Sequence, residues 1–400
     1  MEKVITQRIQ EIELALKNHD LNRVSRRILD YTFEFDSPRE LQEKAITSRV
    51  SYNTKKQLGS SGNKDEELIN DYSSLLNLLK SHNPSPIFNN SIPEIICEIK
   101  GIGKTYGKSK GFKLNPINLT LKRGKIIGLV GENGNGKTTL LRLISTDLAS
   151  SYGEIQVFEG TKRIKTYEEI KQRIAFIPQR IDRWFGSVES QISFCASIKG
   201  LTKEENKKQT QFIIHRLGLT NFSNHTWSEL SSGYKLRVEI AKTLVWNPKV
   251  LILDEPLANL DLLAQELLLQ DLRDLVNSQK RPVTIILSSQ QLHEVETVAD
   301  QIVFLKNGRA VYNGGINEIK NTDESTTIEL DGDFNYSELM NAFCSIEIKI
   351  EQNSSGFTLS CSHKTKAQNI LKTLVSKNIK VTYFRDITNS TKKLFNDKYQ

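Results

Sequence analysis

The sequence predicts an α/β protein: a mostly parallel sheet with helices on its faces, a helical extension before it and a small α+β unit after it. Three observations predict this. Between residues 94 and 320, short apolar runs alternate with amphipathic stretches, the pattern of repeated strand–helix units. Three of these runs end abruptly in glycine, acidic or polar residues: Ile126–Val130 before Gly131, Val250–Leu253 before Asp254-Glu255, and Val283–Leu287 before Ser288-Ser289-Gln290. In such a sheet, functional groups collect at the carboxyl ends of the strands. The pattern also changes on either side of this region, to helical spacing before it and to an order of strand, helix, two strands, helix, strand after it.

The elements follow in order. Val4, Ile5, Ile9, Ile12 and Leu16 recur at helical spacing. Asp20 is placed to cap a second helix carrying Leu21, Val24, Ile28 and Leu29. Ser37-Pro38-Arg39-Glu40 reads as a helix start, with a cap, a proline in the first turn and an acid three residues after the cap. Gly59–Asn63 reads as a flexible break, and Glu66–Leu79 resumes the helical pattern. Ser81–Pro93, with Pro84 and Pro86, reads as a linker. Strands are expected at Ile95–Ile99, Phe112–Leu121, Ile126–Val130, Gly153–Val157, Ile174–Ile177, Val250–Leu253 and Val283–Leu287, and a hairpin at Ile302–Tyr312. Residues 187–222 read as amphipathic helix. Beyond Thr322 the βαββαβ order is that of a small ferredoxin-like unit. The expected domains are therefore 1–93, 94–322 with a helical subdomain at about 183–245, and 323–400.

Composition narrows the class. Four hundred residues suggest two or three domains, and 38% hydrophobic with 26% charged residues is ordinary for globular ones. No apolar run approaches the ~20 residues that span a bilayer. The stretch Met1–Arg8 has no apolar core of the kind a signal peptide needs, which predicts a cytoplasmic chain. Work at a membrane then requires another subunit to supply the membrane part. Cys97, Cys195, Cys344 and Cys361 are too scattered for a zinc site and fit a reducing compartment. The formal charge of +8 comes from downstream of residue 93, since residues 1–93 carry equal numbers of each sign. Without a long Lys/Arg block, no specific nucleic-acid partner is expected.

The chemistry centres on Gly131-Glu132-Asn133-Gly134-Asn135-Gly136-Lys137-Thr138-Thr139, between an apolar strand and the helix Leu140–Ile144. Gly-x-x-x-x-Gly-Lys-Thr is the phosphate-loop spacing. Glycines let successive N–H groups point at one anion, and the helix start adds the positive end of its dipole. Asp254-Glu255 at a strand end supplies a metal-holding acid followed by one able to orient water. Gln179 follows another strand. Leu230-Ser231-Ser232-Gly233-Tyr234 precedes a helix, and Leu257-Ala258-Asn259-Leu260-Asp261 follows Glu255-Pro256.

Together these motifs resemble the nucleotide-binding subunits of ATP-binding cassette (ABC) proteins, most closely the exporter-type transport ATPases, over residues 94–320. The resemblance implies a P-loop NTPase fold with ATP and Mg²⁺ as cofactors. It assigns ATP binding to Tyr106, Gly131, Asn133, Gly134, Gly136, Lys137, Thr138, Thr139 and Gln179, with Tyr106 stacking on adenine. Thr138, Gln179 and, through water, Asp254 would hold Mg²⁺. Glu255 would be the general base, and Gln290 shares the catalytic position. Ser231 and Gly233 would contact the γ-phosphate bound to a second ATPase subunit, taken as a copy of the chain, and Asp261 would lie at that interface. The implied partner is a separate multi-span membrane permease, docked through Arg183–Gly200, with the chain peripheral on the cytoplasmic membrane face.

Two motifs depart from the family pattern. The interface motif has Ser232 and Tyr234 where glycine and glutamine are common, and Ser232 would be strained if its position needs positive φ. Gln290 stands where the family usually has histidine; an amide cannot carry the charge or shuttle a proton. Slower hydrolysis is expected, and the exposed-looking His293 is not given the role. Two alternatives stand beside the transport reading: a soluble ABC ATPase acting on ribosomes or nucleic acid, and a regulatory subunit that binds ATP but hydrolyses it weakly.

Overall fold

The computed structural model describes residues 2–57, 63–82, 95–107, 111–278, 280–316, 325–344, 347–353, 356–362 and 365–387. Most of the break expected at 59–63 and of the linker expected at 81–93 lies outside the described residues.

Four helices open the chain: α1 (Glu2–Lys17), α2 (Leu21–Glu34), α3 (Arg39–Gln57) and α4 (Asn63–Ser81). They bury Ile12, Val24, Ile28, Leu29, Tyr31, Ala45, Leu68, Tyr72 and Leu79 against one another. Asp20 caps α2 by accepting from the Arg23 N–H. The start of α3 differs from expectation. The helix begins at Arg39, and the Ser37 hydroxyl is buried without a hydrogen-bond partner rather than capping it. Burial against the bundle prevails there over local cap chemistry.

The expected single sheet is two. One is parallel except for its terminal hairpin, in the order β10-β9-β3-β8-β7-β6. It comprises β3 (Ile126–Val130), β6 (Ile174–Ile177), β7 (Val250–Leu253), β8 (Thr284–Ser289), β9 (Gln301–Lys306) and β10 (Arg309–Gly315). The other is antiparallel, in the order β2-β1-β4-β5, from β1 (Ile95–Thr105), β2 (Lys113–Lys122), β4 (Tyr152–Glu159) and β5 (Lys162–Ile164). Burial explains the split. β3, β7 and β8 are buried at every position, as strands covered on both faces must be, whereas β2 alternates buried with partly exposed residues.

Helix α5 (Lys137–Ile144) lies between the sheets. Leu140, Leu141, Leu143 and Ile144 pack with Ile127 and Leu129 of β3 and with Ile96, Leu114 and Leu121 of the antiparallel sheet. The alternate residues Ile126 and Val130 face a second core. That core is covered by α7 (Val188–Ile198), α8 (Lys203–Arg216), α9 (Ser232–Leu244) and α10 (Leu262–Val276). Short helices α6 (Tyr167–Lys171) and α11 (Leu292–Glu296) complete this region.

The last part contains β11 (Ser325–Asp333), α12 (Tyr336–Ala342), β12 (Ile348–Asn353), β13 (Gly356–Ser362), α13 (Ala367–Ser376) and β14 (Lys380–Asp386). Its sheet is antiparallel in the order β12-β13-β11-β14, the strand order of a ferredoxin-like βαββαβ unit. Among the described residues, no helix is long and apolar enough to cross a membrane. None of the four cysteines is in a disulfide, and burial pushes the Cys97 thiol up to about 12.

Candidate functional site

The site forms where β3, β6, β7 and β8 end side by side. The loop after β3 turns back on itself to start α5. Gly136 sits at φ +100° before the helix, and a Cβ there would meet the Phe112 ring at 2.7 Å. Gly131 passes so close to Leu305 that a Cβ would lie 2.5 Å from its carbonyl oxygen. Glycine is therefore required twice, once for conformation and once for space. Asn135 ties the loop to the β9–β10 turn by accepting from the Asn307 N–H at 2.8 Å. No side chain caps α5, so its first-turn N–H groups remain for an anion, aided by the helix dipole.

Lys137 is 4% exposed. Its ammonium donates to the carbonyls of Gly131 (2.6 Å) and Glu132 (3.2 Å) and lies 3.2 Å from Glu255 Oε1. The loop thus curls around its own lysine, with Glu255 as counter-charge. Thr138 Oγ1 donates to Asp254 Oδ2 at 2.7 Å. Glu255 follows Asp254 with φ +48°, a left-handed conformation uncommon for a glutamate. The turn aims its carboxylate across the strand ends, where Oε2 accepts from Gln179 Nε2 at 2.9 Å and from Gln290 Nε2 at 2.8 Å. Gln179, Gln290, Lys137, Thr138, Asp254 and Glu255 are therefore one cluster, drawn from four strand ends.

Tyr106 lies at the edge of this cluster. Its N–H donates to the Phe112 carbonyl, its ring centre is 6.5 Å from that of Phe112, and it is 40% exposed. Phe112 in turn borders Gly136, which brings the exposed aromatic face beside the phosphate loop.

Ser231, Gly233 and Asp261 form a second cluster. Ser231 caps α9 by accepting from the Tyr234 N–H, and Asp261 caps α10 by accepting from the Ala264 N–H at 2.9 Å. The Ser232 hydroxyl donates to the Asn259 carbonyl at 3.1 Å, and Gly233 packs near Leu260. Among the described residues, no hydrogen bond or ion pair joins Ser231, Gly233 or Asp261 to the phosphate loop. Ser232 has no positive φ; it begins the helix, so the strain considered for it from sequence does not arise. His293 is exposed on α11.

Several structural residues escaped sequence reasoning. Ser288 and Ser289 were visible only as polar residues ending an apolar run. Ser289 donates to Glu294 and accepts from the Gln291 N–H, which fixes the turn that carries Gln290. The bonds of Asn135 and Ser288 reach residues distant in sequence, so no local signal marks them.

The donor set fits magnesium nucleotide. Hard oxygens of Thr138 and Asp254 suit a small divalent cation that keeps most of its waters. Lys137 and the N–H groups at the α5 start suit phosphate. When bound, Mg²⁺ neutralises charge on the transferring phosphoryl group. The arrangement can act by position: Lys137 can exchange Glu255 for phosphate, Thr138 and Asp254 would hold the metal, and the Glu255 carboxylate can orient water within reach of Gln179 and Gln290.

Fold and site together define a P-loop nucleotide-hydrolysing protein. Residues 114–258 match the ABC transporter family. The ABC transporter ATP-binding protein NatA of Bacillus subtilis (strain 168) is 29% identical over 213 residues, covering 52% of this chain and 84% of that one. The energy-coupling factor transporter ATP-binding protein EcfA1 of Ligilactobacillus salivarius is 33% identical over 240 residues, covering 59% of this chain and 84% of that one. The solved structure of cbiO1 from Clostridium perfringens, part of the ABC transporter complex cbiONQ, superposes with a TM-score of 0.51 at 30% identity, over 56% of this chain and 90% of that one. The chain belongs to the ABC transporter family, as one of its ATP-binding proteins. It is an ABC ATPase, and its cofactors are ATP and Mg²⁺.

Proposed function

We propose that this chain is the ATPase subunit that powers a separate multi-span membrane permease, an exporter, by ATP-driven pairing of two ATPase subunits. The observation that carries the reading is the shared contact of Gln179 and Gln290 with Glu255, beside Lys137 and Asp254. One half of a nucleotide site is assembled, while Ser231 and Gly233 sit in a separate cluster suited to a second subunit's nucleotide. In a two-fold pair, the phosphate loop of each copy faces the Ser231 region of the other.

The permease would dock on the surface around Arg183–Gly200. Phe185, Phe194 and Ile198 support this, being 80%, 60% and 65% exposed, an apolar display that water alone does not favour. The chain then lies peripherally on the cytoplasmic face of the membrane. Residues 1–93, 94–322 and 323–400 act as helical extension, ATPase domain and accessory domain, the ATPase domain including a helical subdomain at about 183–245. The site assignments follow the same reading: Glu255 and Gln290 act in catalysis, Tyr106 stacks on adenine, the loop from Gly131 to Thr139 holds phosphate, and Asp261 lies at the subunit interface.

Size-exclusion chromatography with ATP and Mg²⁺, and co-purification from membranes, test the reading. Dimers that form with ATP, and recovery of a multi-span partner, are expected. A chain that stays monomeric with ATP and brings down no such partner would sink it. Uptake of substrate into inside-out vesicles on ATP addition, rather than loss from them, tests the exporter direction.

A further inference from the structure

Ser288 is completely buried at the end of β8, beside β7. Its hydroxyl touches both acidic positions of the site. Oγ donates to Asp254 Oδ1 at 2.7 Å and accepts from the Glu255 N–H at 2.8 Å. The direction of the proton is forced: an amide N–H can only donate, so the hydroxyl must accept from Glu255 and spend its own proton on the Asp254 carboxylate.

Each bond fixes a different thing. The bond to Oδ1 holds one oxygen of Asp254 and leaves Oδ2 turned toward Thr138. When Thr138 turns to a metal, Ser288 remains as the group that orients the carboxylate. The bond from Glu255 holds the backbone at the residue with φ +48°. That turn directs the Glu255 carboxylate to Gln179 and Gln290 instead of along the strand. One buried hydroxyl thus sets the metal-side acid and the water-side acid relative to each other.

We propose that Ser288 is a positioning residue for ATP hydrolysis: through its hydroxyl it locks Asp254 and Glu255 into one geometry, so that metal placement and water orientation are set together. The proposal rests on the reading of the chain as an ATPase with Glu255 as the water-orienting acid. Ser288 is completely buried and acts through those two residues.

The test uses the purified full chain and compares Ser288→Ala, Ser288→Thr and wild type. Three quantities are read: bound nucleotide per chain with a fluorescent ATP analogue, hydrolysis per bound site, and the affinity of the ATP complex for Mn²⁺ from its paramagnetic resonance signal. The alanine variant is expected to keep the wild-type nucleotide stoichiometry, to lose about 10- to 100-fold in kcat with KM little changed, and to bind Mn²⁺ more weakly. Threonine, which keeps the hydroxyl, is expected to restore most of kcat and the Mn²⁺ affinity. If alanine prevents folding, Ser288→Cys keeps the volume with a poor donor and is expected to show the alanine pattern. A kcat per bound site within about twofold of wild type in the variant lacking the hydroxyl overturns the proposal, since tenfold is about 1.4 kcal/mol of barrier and twofold well under that. Equal loss in the threonine variant overturns it too, because packing rather than the hydroxyl would then matter. A wild type that neither binds nor hydrolyses ATP would instead remove the reading on which the proposal rests.

Discussion

Arg216 at the end of α8 grips Asp30 of α2 with both ends of its guanidinium: Nε donates to Oδ1 at 2.7 Å and Nη2 to Oδ2 at 3.3 Å. Arg216 is buried and Asp30 nearly so, and the pair joins residues 186 apart in sequence. It belongs to a larger seam. Arg26 pairs with Asp271 at 2.5 Å, Arg27 with Asp274 at 3.5 Å, and Arg8 donates to the Asn277 carbonyl. Arg49 donates to the His215 carbonyl at 3.2 Å, and Phe33 stacks on Phe212 with ring centres 4.2 Å apart. The helical extension therefore bridges the ends of α8 and α10, α10 being the helix that Asp261 caps at its other end.

Breaking this seam from one side leaves a buried cation without its partner. Burial alone would raise the Asp30 carboxyl, but Arg216 and Arg27 hold it below the usual carboxylate range. Asp30→Asn removes the charge while keeping the shape, and is expected to cost about 3–5 kcal/mol, the range for opening a buried ion pair. Denaturant unfolding measures the loss, and limited proteolysis should find the extension cleaved faster than in wild type. An Asp30→Asn chain as stable as wild type would show that the seam holds nothing.

His215 gives the seam a pH dependence. Burial, with the nearby Arg49, lowers its pKa to about 4, while its Nδ1 lies 3.0 Å from Thr220 Oγ1. The unfolded chain, with an ordinary histidine, binds a proton near pH 6.5 that the folded chain refuses until about pH 4. Stability therefore falls as pH drops through that window, by about 2 kcal/mol between pH 7.5 and pH 5. Asp30 adds nothing there, because its depressed pKa matters only below about pH 4. His215→Gln should remove that slope, measured as denaturant midpoints at the two pH values.

What could be read from sequence was local. The phosphate loop was legible because Gly131, Gly136, Lys137 and Thr138 act at fixed spacing within one turn. Asp254-Glu255 was legible because an apolar run rarely ends in two acids without use. The division into two sheets was not, since the choice of partner for β1, β2 and β4 depends on which faces are covered. Ser37 shows a local signal overridden by packing. Ser288 and Asp30 show the converse: they find partners 33 and 186 residues away, and nothing beside them in the chain announces it.

Glu255 carries two separable effects. On the proposed reading it orients water, and it also sits 3.2 Å from Lys137, the ammonium proposed to meet phosphate. Glu255→Gln keeps an acceptor and the shape but removes the charge. Hydrolysis should fall by about 10²- to 10⁴-fold, the range for losing a positioned base. Nucleotide affinity should hold or rise, because an anion competing for Lys137 has gone. Single-turnover hydrolysis and equilibrium binding of a fluorescent ATP analogue separate the two effects; weaker binding in the variant would contradict this account of Lys137.

On the proposed reading, Gln290 limits the hydrolysis rate. Its amide donates to Glu255 at 2.8 Å, so it holds the carboxylate without being able to carry charge or pass a proton. Gln290→Ala should lower kcat, since Glu255 then keeps only Gln179 on that oxygen. Gln290→His should raise it by about tenfold, because an imidazole can stabilise developing phosphate charge as well as meet Glu255. The gain should appear in kcat and not in nucleotide affinity, which Lys137 and the loop control. Steady-state ATPase assays on the three proteins, with the membrane partner present, decide it. A histidine variant no faster than wild type would mean that glutamine is not the limiting feature and that turnover is governed elsewhere, in the closing of the two subunits or the release of product.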